Sequence, residues 1–151
     1  MDLTCVFKPA KIGVSIRAAV SRWLAVLVRR LERIGIKAVS FARDRGAEES
    51  WYDRTGNLRS SIGYVVVSDG AVTSKYGFTA VSGPDGGGGE GASEGERFAV
   101  RLASEHPTGY ALIIVAGMDY AVFVEAMENK DVLASAELFL RKEIQAMTAR
   151  L

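Results

Sequence analysis

The chain has 151 residues and a mass of 16.2 kDa, a size that suits one domain. Hydrophobic residues make up 48% and charged residues 25%, as in folded globular domains, and 19 basic residues nearly balance 18 acidic ones, so the chain as a whole is not a polyanion binder. One Cys and one His exclude a disulfide framework, a cysteine-based zinc site and a multi-histidine metal centre.

The first residues predict a short strand, Leu3–Phe7, which ends before Pro9. They lack the basic flank and apolar run of a signal peptide, and no run of 18 apolar residues marks a membrane span. We therefore expect synthesis in a reducing cytoplasm and no membrane partner.

A long helix is predicted from Ser15 to Arg45, because apolar residues recur at three- and four-residue steps. This apolar stripe consists of Ile16, Val20, Trp23, Leu24, Leu27, Leu31, Ile34, Ala38, Phe41 and Ala42. At 1.5 Å per residue the helix is about 45 Å long, which exceeds the expected width of the sheet. Val26, Ile36 and Val39 lie off the stripe, and exposed apolar residues on an overlong helix are typical of a binding surface.

Two strands joined by a tight turn are predicted in the middle of the chain. Ile62–Val67 contains three consecutive valines, and Ala71–Tyr76 forms the returning strand. Asp69 and Gly70 between them are a strong hairpin signal.

Seven of the 16 glycines lie between Ser82 and Glu96. Residues 82–95 are expected to form a flexible loop, because they cannot bury a core. The segment carries Asp85, Glu90 and Glu94 and no basic residue, so it would repel a phosphate and is not a nucleotide-binding loop. We therefore expect a single domain over residues 1–151 with this loop inserted in it.

Three helical segments and a strand are predicted after the loop. Glu96–Glu105 suits a short helix, Tyr110–Ala116 a central strand covered on both faces, and Asp119–Glu125 one or two helical turns. Asp131 is a good N-cap for a last helix that runs to the C-terminus. The apolar stripe of that helix is Leu133, Ala136, Leu140, Ile144, Met147 and Leu151, with Leu138 and Phe139 off it.

Strands and helices are therefore segregated along the chain, which predicts an α+β fold. We expect the long N-terminal helix and the C-terminal helix to pack on a small, mostly antiparallel sheet. The sheet has three strands, or four if Leu3–Phe7 pairs with it.

The reactive residues form no catalytic pattern. His106 precedes Pro107, and Ser60 and Ser61 have no matched base. The acidic residues that cluster in the sequence are Asp119, Glu125, Glu128 and Asp131, without the loop spacing of a calcium site. We expect no enzyme activity, no metal and no cofactor.

Two sequence motifs carry a family resemblance. In the first, Thr55 and Asn57 flank Gly56, which predicts a tight turn, with Leu58 entering the core. The second motif is Tyr-Ala-x-x-Val-Glu, which follows the late apolar strand. With these two motifs the chain resembles the tail-completion and minor tail (head–tail joining) proteins of long-tailed bacteriophages and prophages. Their pattern is a long helix, a Thr-Gly-x-Leu-x-x-Ser turn that enters a strand, and a late apolar strand followed by Tyr-Ala-x-x-Val-Glu. The matching residues are Thr55, Gly56, Asn57, Leu58, Ser61, Tyr120, Ala121, Val124 and Glu125.

The chain departs from this family directly after the second motif. Many members continue with a Gly and an aromatic or Pro-containing turn, whereas residues 126–130 here read Ala-Met-Glu-Asn-Lys. We therefore expect the connection into the last helix to differ.

The resemblance implies an α+β structural protein without catalysis, located in the virion tail or neck. Its implied partners are further copies of itself in a ring, together with neighbouring neck and tail-tube proteins. The charge distribution suits head-to-tail stacking, because residues 1–50 carry a net +5 and residues 51–151 a net −4. The contact residues expected on the first and last helices are Val26, Ile36, Val39, Leu138 and Phe139.

A second hypothesis is a small cytoplasmic adaptor or regulator that binds nucleic acid. Its basic helix face would consist of Arg22, Arg29, Arg33 and Arg43, and the binding would weaken steeply with added salt. The nearly neutral chain makes nucleic acid the less expected partner.

Overall fold

The computed structural model describes residues 9–44, 52–122, 126 and 132–149. The predicted strand Leu3–Phe7 and the motif residues Val124 and Glu125 lie outside this part of the chain. The elements are α1 (Pro9–Arg43), α2 (Asn57–Ser60), β1 (Ile62–Ser68), β2 (Ala71–Gly77), α3 (Gly89–Ala103), β3 (Tyr110–Ala116) and α4 (Ala134–Thr148). The predicted α+β fold is confirmed, with the long first helix and the last helix in place.

The three described strands form one antiparallel sheet in the order β2-β1-β3. The central strand is β1, and six of its seven residues are buried. Among the three described strands, β3 lies at the edge and not, as Tyr110–Ala116 was predicted to lie, at the centre. Its apolar run has another cause: Leu112 and Ile114 pack with the cluster that contains α1, and Ile113 and Val115 with the cluster that contains α3.

The turn between β1 and β2 has the backbone that the sequence predicts. Asp69 and Gly70 have φ values of 49° and 81°, and two successive positive φ values define the hairpin turn favoured by an Asp-Gly pair. The Asp69 carboxylate also accepts a hydrogen bond from the Gly109 amide, and the Asp69 amide donates to the Gly109 carbonyl, both at 2.8 Å. These bonds join the hairpin to the start of β3.

The third helix begins seven residues before its predicted start at Glu96, so the loop prediction was wrong for residues 89–95. Gly91, Gly95, Ala99 and Ala103 are spaced four residues apart and are all buried. This spacing places them on one helix face, where the lack of large side chains lets α3 lie close to the sheet. Close packing therefore outweighs the low helix propensity of glycine.

The glycine-rich segment packs directly against the turn at residues 54–61. We call Gly83, Gly86, Gly88, Gly91 and Gly95 the glycine seam. A Cβ added to Gly91 would lie 2.6 Å from the Asn57 Cα, and one on Gly95 would lie 2.8 Å from the Ser61 carbonyl carbon. At the other three seam positions a Cβ would lie 2.8 Å or less from a neighbouring atom, whereas Gly87 and Gly89 have open space. Most of the glycine excess therefore permits close backbone contact.

The last helix begins at Ala134, and its N-cap is Leu133, which makes no side-chain capping bond. Asp131, the predicted N-cap, lies outside the described ranges. Val132 is buried in the core and Leu133 packs against it. Burial of this apolar pair fixes the start of the helix against the core.

Gly35 in α1 provides a first prediction on stability. A Cβ at this position would lie 2.8 Å from Cδ1 of the Tyr64 ring. Gly35→Ala should lower the free energy of unfolding despite the better helix propensity of Ala, because overpacking costs about 1–3 kcal/mol. Gly13→Ala is the matched control, since its nearest neighbour is the Arg17 guanidinium at 3.6 Å. Thermal unfolding followed by circular dichroism should show a lower midpoint for Gly35→Ala alone, and equal midpoints would contradict this packing.

Candidate interaction surface

The first helix is much longer than the sheet on which it packs. Its 35 residues span about 52 Å, whereas a seven-residue strand spans about 23 Å. Burial follows this difference, because Leu31, Ile34 and Ala38 are buried and the preceding half of the helix is largely exposed. We call residues 13–26 the arm.

The arm continues the apolar stripe that packs in the core. Ile16, Val20 and Trp23 were predicted on the packed face, yet 58%, 50% and 50% of their surfaces are exposed. The prediction of burial was therefore wrong for this part of the stripe, since the sheet ends before the helix does. The arm also contains Arg17 and Arg22 and no acidic residue. It presents an apolar stripe with a basic flank.

The last helix runs antiparallel to α1 and reaches the base of the arm. The Phe41 and Phe139 rings stack with centroids 6.1 Å apart, and Lys37 pairs with Glu143 at 3.5 Å. Further along, Trp23, Val26, Leu27, Arg30 and Met147 line a small cleft of about 110 Å³. The arm and the end of α4 therefore form one continuous, partly apolar surface.

The structure separates the five predicted contact residues into two groups. Val26 and Ile36 on α1 are each 40% exposed, and Leu138 on α4 is 62% exposed. Val39 is fully buried, so its assignment to a surface was wrong. It lies where α1 crosses the hairpin, and a Cβ on Gly77 would lie 3.3 Å from its Cγ1. Phe139 is half-buried against Phe41 and supports the packing of α4 on α1.

The two sequence motifs meet in space. Tyr120 of the second motif lines one cleft together with Thr55 and Leu58 of the first. Leu58 and Ala121 are buried in the same core cluster. Burial is the main cause that raises the pKa of Tyr120 above its usual value, and the negative charge of Asp53 adds to it. Residues more than sixty positions apart in the sequence are thus joined at one structural junction.

The junction is held mainly by bonds to backbone groups. Ser60 Oγ donates to the Gly56 carbonyl at 2.6 Å and accepts a bond from the Val81 amide at 2.8 Å. Ser61 Oγ donates to the Leu58 carbonyl at 2.8 Å. Both serines are fully buried. This geometry makes Ser60 and Ser61 structural residues, as their sequence setting predicts.

The four arginines of the proposed basic face are not equivalent. Arg22, Arg29 and Arg33 are exposed, whereas Arg43 is half-buried and donates a hydrogen bond to the Thr79 carbonyl at 3.0 Å. Burial lowers the pKa of Arg43 from its usual value. A nucleic-acid surface on α1 would therefore rest on the other three.

The described residues contain no group of three or more His, Cys, Asp or Glu side chains that could hold a metal ion. None of the helices in these same ranges combines the length and the apolar character needed to cross a membrane.

In comparisons of the chain with protein-family models, curated proteins and solved structures, no match was found.

Proposed function

We propose that this chain is a structural subunit of a long-tailed bacteriophage or prophage, of the head–tail connector or tail-completion type. It acts by self-association and by docking between the neck and the tail tube. The observation that carries the proposal is the arm, whose apolar stripe continues the core stripe yet stays exposed over Ile16, Val20 and Trp23. A continuous stretch of exposed apolar surface of this kind is a feature of binding sites.

The motif junction supports the same proposal. Thr55 and Tyr120 come from the two motifs on which the family resemblance rests, and they line the same cleft. A resemblance carried by residues that meet in space is more informative than one carried by separate segments, because their proximity gives both motifs a common structural purpose.

The charge distribution favours a heterologous interface, in which two different patches of successive copies meet. The exposed arm is basic, whereas residues 51–151 carry a net −4. Repetition of such a contact produces a ring when the rotation closes. A connector between two coaxial parts of a tail has this symmetry.

Electron microscopy of the purified chain tests the proposal. At high protein concentration we expect ring-shaped particles, and co-expression with the neck and tail-tube proteins encoded nearby should yield a complex. Featureless monomers and no binding to either neighbour would contradict the proposal. A gene neighbourhood with portal, capsid and tail-tube genes is the matching genomic expectation.

The competing hypothesis is that the chain binds nucleic acid. In that case Arg22, Arg29 and Arg33 would contact the phosphates. Titration of labelled duplex and single-stranded DNA at low salt would detect such binding. We expect no binding. A complex that weakens steeply as salt is raised would favour the adaptor hypothesis instead.

A further inference from the structure

The two sequence motifs, which meet at the junction, also line a cleft of about 360 Å³. We call it the motif cleft. Tyr52, Met118 and Tyr120 give it an apolar and aromatic lining, and the two tyrosines are 70% and 39% exposed. Tyrosine offers a large contact area with few rotatable bonds, so exposed tyrosines in a concave surface are typical of a protein-binding site.

Two carboxylates give the motif cleft a negative charge. Asp53 and Glu90 both line it. The Asp53 carboxylate accepts a hydrogen bond from the Arg59 amide at 2.7 Å, and the Glu90 carboxylate accepts one from the Asn57 side chain at 3.0 Å. Both donors are neutral groups, and the ion pairs among the described residues include neither carboxylate. Their charges therefore stay available to a cationic partner.

The other polar groups of the motif cleft leave this charge in place. Arg54 also lines it, but the guanidinium group pairs with the Asp85 carboxylate at 3.1 Å. Burial, and then the negative charges of Asp53 and Glu90, raise the pKa of Tyr120, so both carboxylates act on one part of the surface. The motif cleft thus combines aromatic side chains with a negative potential.

The arm has the complementary character. Arg17 and Arg22 lie on the two sides of the stripe that contains Val20 and Trp23, because successive residues of a helix are turned by about 100°. Two arms packed on each other would bring four guanidinium groups together, and like charges oppose such a contact. An acidic aromatic cleft accepts the whole arm, because guanidinium groups bind carboxylates and stack on aromatic rings.

The arm and the motif cleft lie at opposite ends of α1. The Arg43 side chain in its last turn donates to the Thr79 carbonyl at 3.0 Å and is close enough to Arg59 for their charges to interact. Arg59 directly follows Leu58, which lines the motif cleft. Val20 precedes Arg43 by 23 residues of continuous helix, or about 35 Å. The helix therefore holds its own arm away from its own motif cleft.

We propose that the arm of one copy docks into the motif cleft of the next copy, with its apolar stripe against the tyrosines and its arginines beside the two carboxylates. This inference rests on the proposed function, because it requires self-association, and it names the two surfaces that meet. Donor and acceptor are different surfaces, so the contact is heterologous. Its repetition forms a ring when the rotation closes.

Two variants that each lack one surface test this contact in the full-length chain. Val20→Asp removes the donor. Tyr52→Lys combined with Glu90→Lys removes the acceptor, because it places two positive charges opposite the arginines of the arm, and both positions are exposed. Each variant alone should self-associate at least about 100-fold more weakly. An equimolar mixture should form dimers that grow no further, since one intact arm and one intact motif cleft remain. Sedimentation velocity measures both results.

Tyr110→Lys combined with Glu105→Lys is the matched control for the acceptor variant. The same residue types and the same net charge change at exposed positions outside the lining of the motif cleft. This control should assemble like the unchanged chain and should dimerise no better with Val20→Asp than the unchanged chain does. Melting curves followed by circular dichroism should show that all three variants are folded.

The outcomes separate this inference from the proposed function. Full assembly of the acceptor variant, equal loss of assembly in its control, or a mixture that stays monomeric would each overturn docking of the arm into the motif cleft. If the unchanged chain still assembles, these results leave the proposed function standing. A strict monomer of the unchanged chain would contradict both.

Chemical cross-linking provides a check that leaves the charges of both surfaces unchanged. Ala19→Cys lies on the exposed arm, and Tyr52→Cys lies in the motif cleft, each in a chain that also carries Cys5→Ser. Treatment of the mixed chains with a short bis-maleimide should join position 19 of one copy to position 52 of another. Tyr110→Cys replaces Tyr52→Cys in the control, which should give no cross-link to position 19. Equal yields in the two mixtures, or a link only between two arms, would overturn the inference.

Discussion

Gly95→Ala is expected to destabilise the protein strongly, although it adds a single methyl group. The new Cβ would overlap the carbonyl oxygen of Ser61 and lie 2.8 Å from its carbonyl carbon. Both contacts are to backbone, and Gly117 packs against Gly95 from the β3 side, so no flexible side chain can move away. Overpacking of this kind costs about 3 kcal/mol or more. For a chain of this size the melting temperature should fall by about 6–12 °C.

The same helix contains the control. Gly89 is its first residue and has open space around the position of a Cβ. Gly89→Ala should leave the melting temperature unchanged or raise it slightly, because Ala is the better helix former. Gly91→Ala should behave like Gly95→Ala. Equal stability of Gly89→Ala and Gly95→Ala in calorimetry would show that residues 82–95 are a loose loop rather than a packed seam.

Val20→Asp is expected to abolish self-association while leaving the fold intact. Val20 lies in the middle of the exposed stripe and is 50% exposed in the single chain, so a charge there is tolerated in the monomer. In an apolar interface the carboxylate would lose its water without gaining a partner. We expect at least about a 100-fold weaker association, equivalent to about 3 kcal/mol.

Val100→Asp on α3 is the matched control for this prediction. Val100 is 48% exposed, so the two substitutions have the same chemistry and nearly the same effect on a monomer. Light scattering should show loss of the oligomer for Val20→Asp and its retention for Val100→Asp, with similar melting temperatures. Equal association of both variants would place the interface elsewhere than on the arm.

Local sequence patterns predict most of the regular elements. β3 has the predicted bounds, and the Asp69-Gly70 turn has the predicted backbone, because both depend on adjacent residues. Helical periodicity also identifies α1, although it cannot reveal where the apolar stripe ceases to be buried. That boundary depends on the length of the sheet, which forms from distant segments. Trp23 and Leu31 therefore share a stripe in the sequence but not an environment in the structure.

The glycine seam and the helix that follows it could have been predicted from the spacing of small residues, which the amino-acid composition does not show. Gly91, Gly95, Ala99 and Ala103 recur every four residues, which is the spacing of one helix face. The spacing of these small residues, rather than their number, predicts a closely packed helix at this place.

The incorrect assignment of Val39 to a contact surface has a different origin. A helix that crosses two strands buries more than a narrow stripe, and the crossing cannot be read from α1 alone.

Sedimentation velocity of the intact chain, followed over a wide range of concentration, tests the central claim most directly. If the arm is an assembly surface, the average mass should rise with concentration toward a defined oligomer and fall back for Val20→Asp. A single monomeric species of 16.2 kDa at every concentration would contradict the claim.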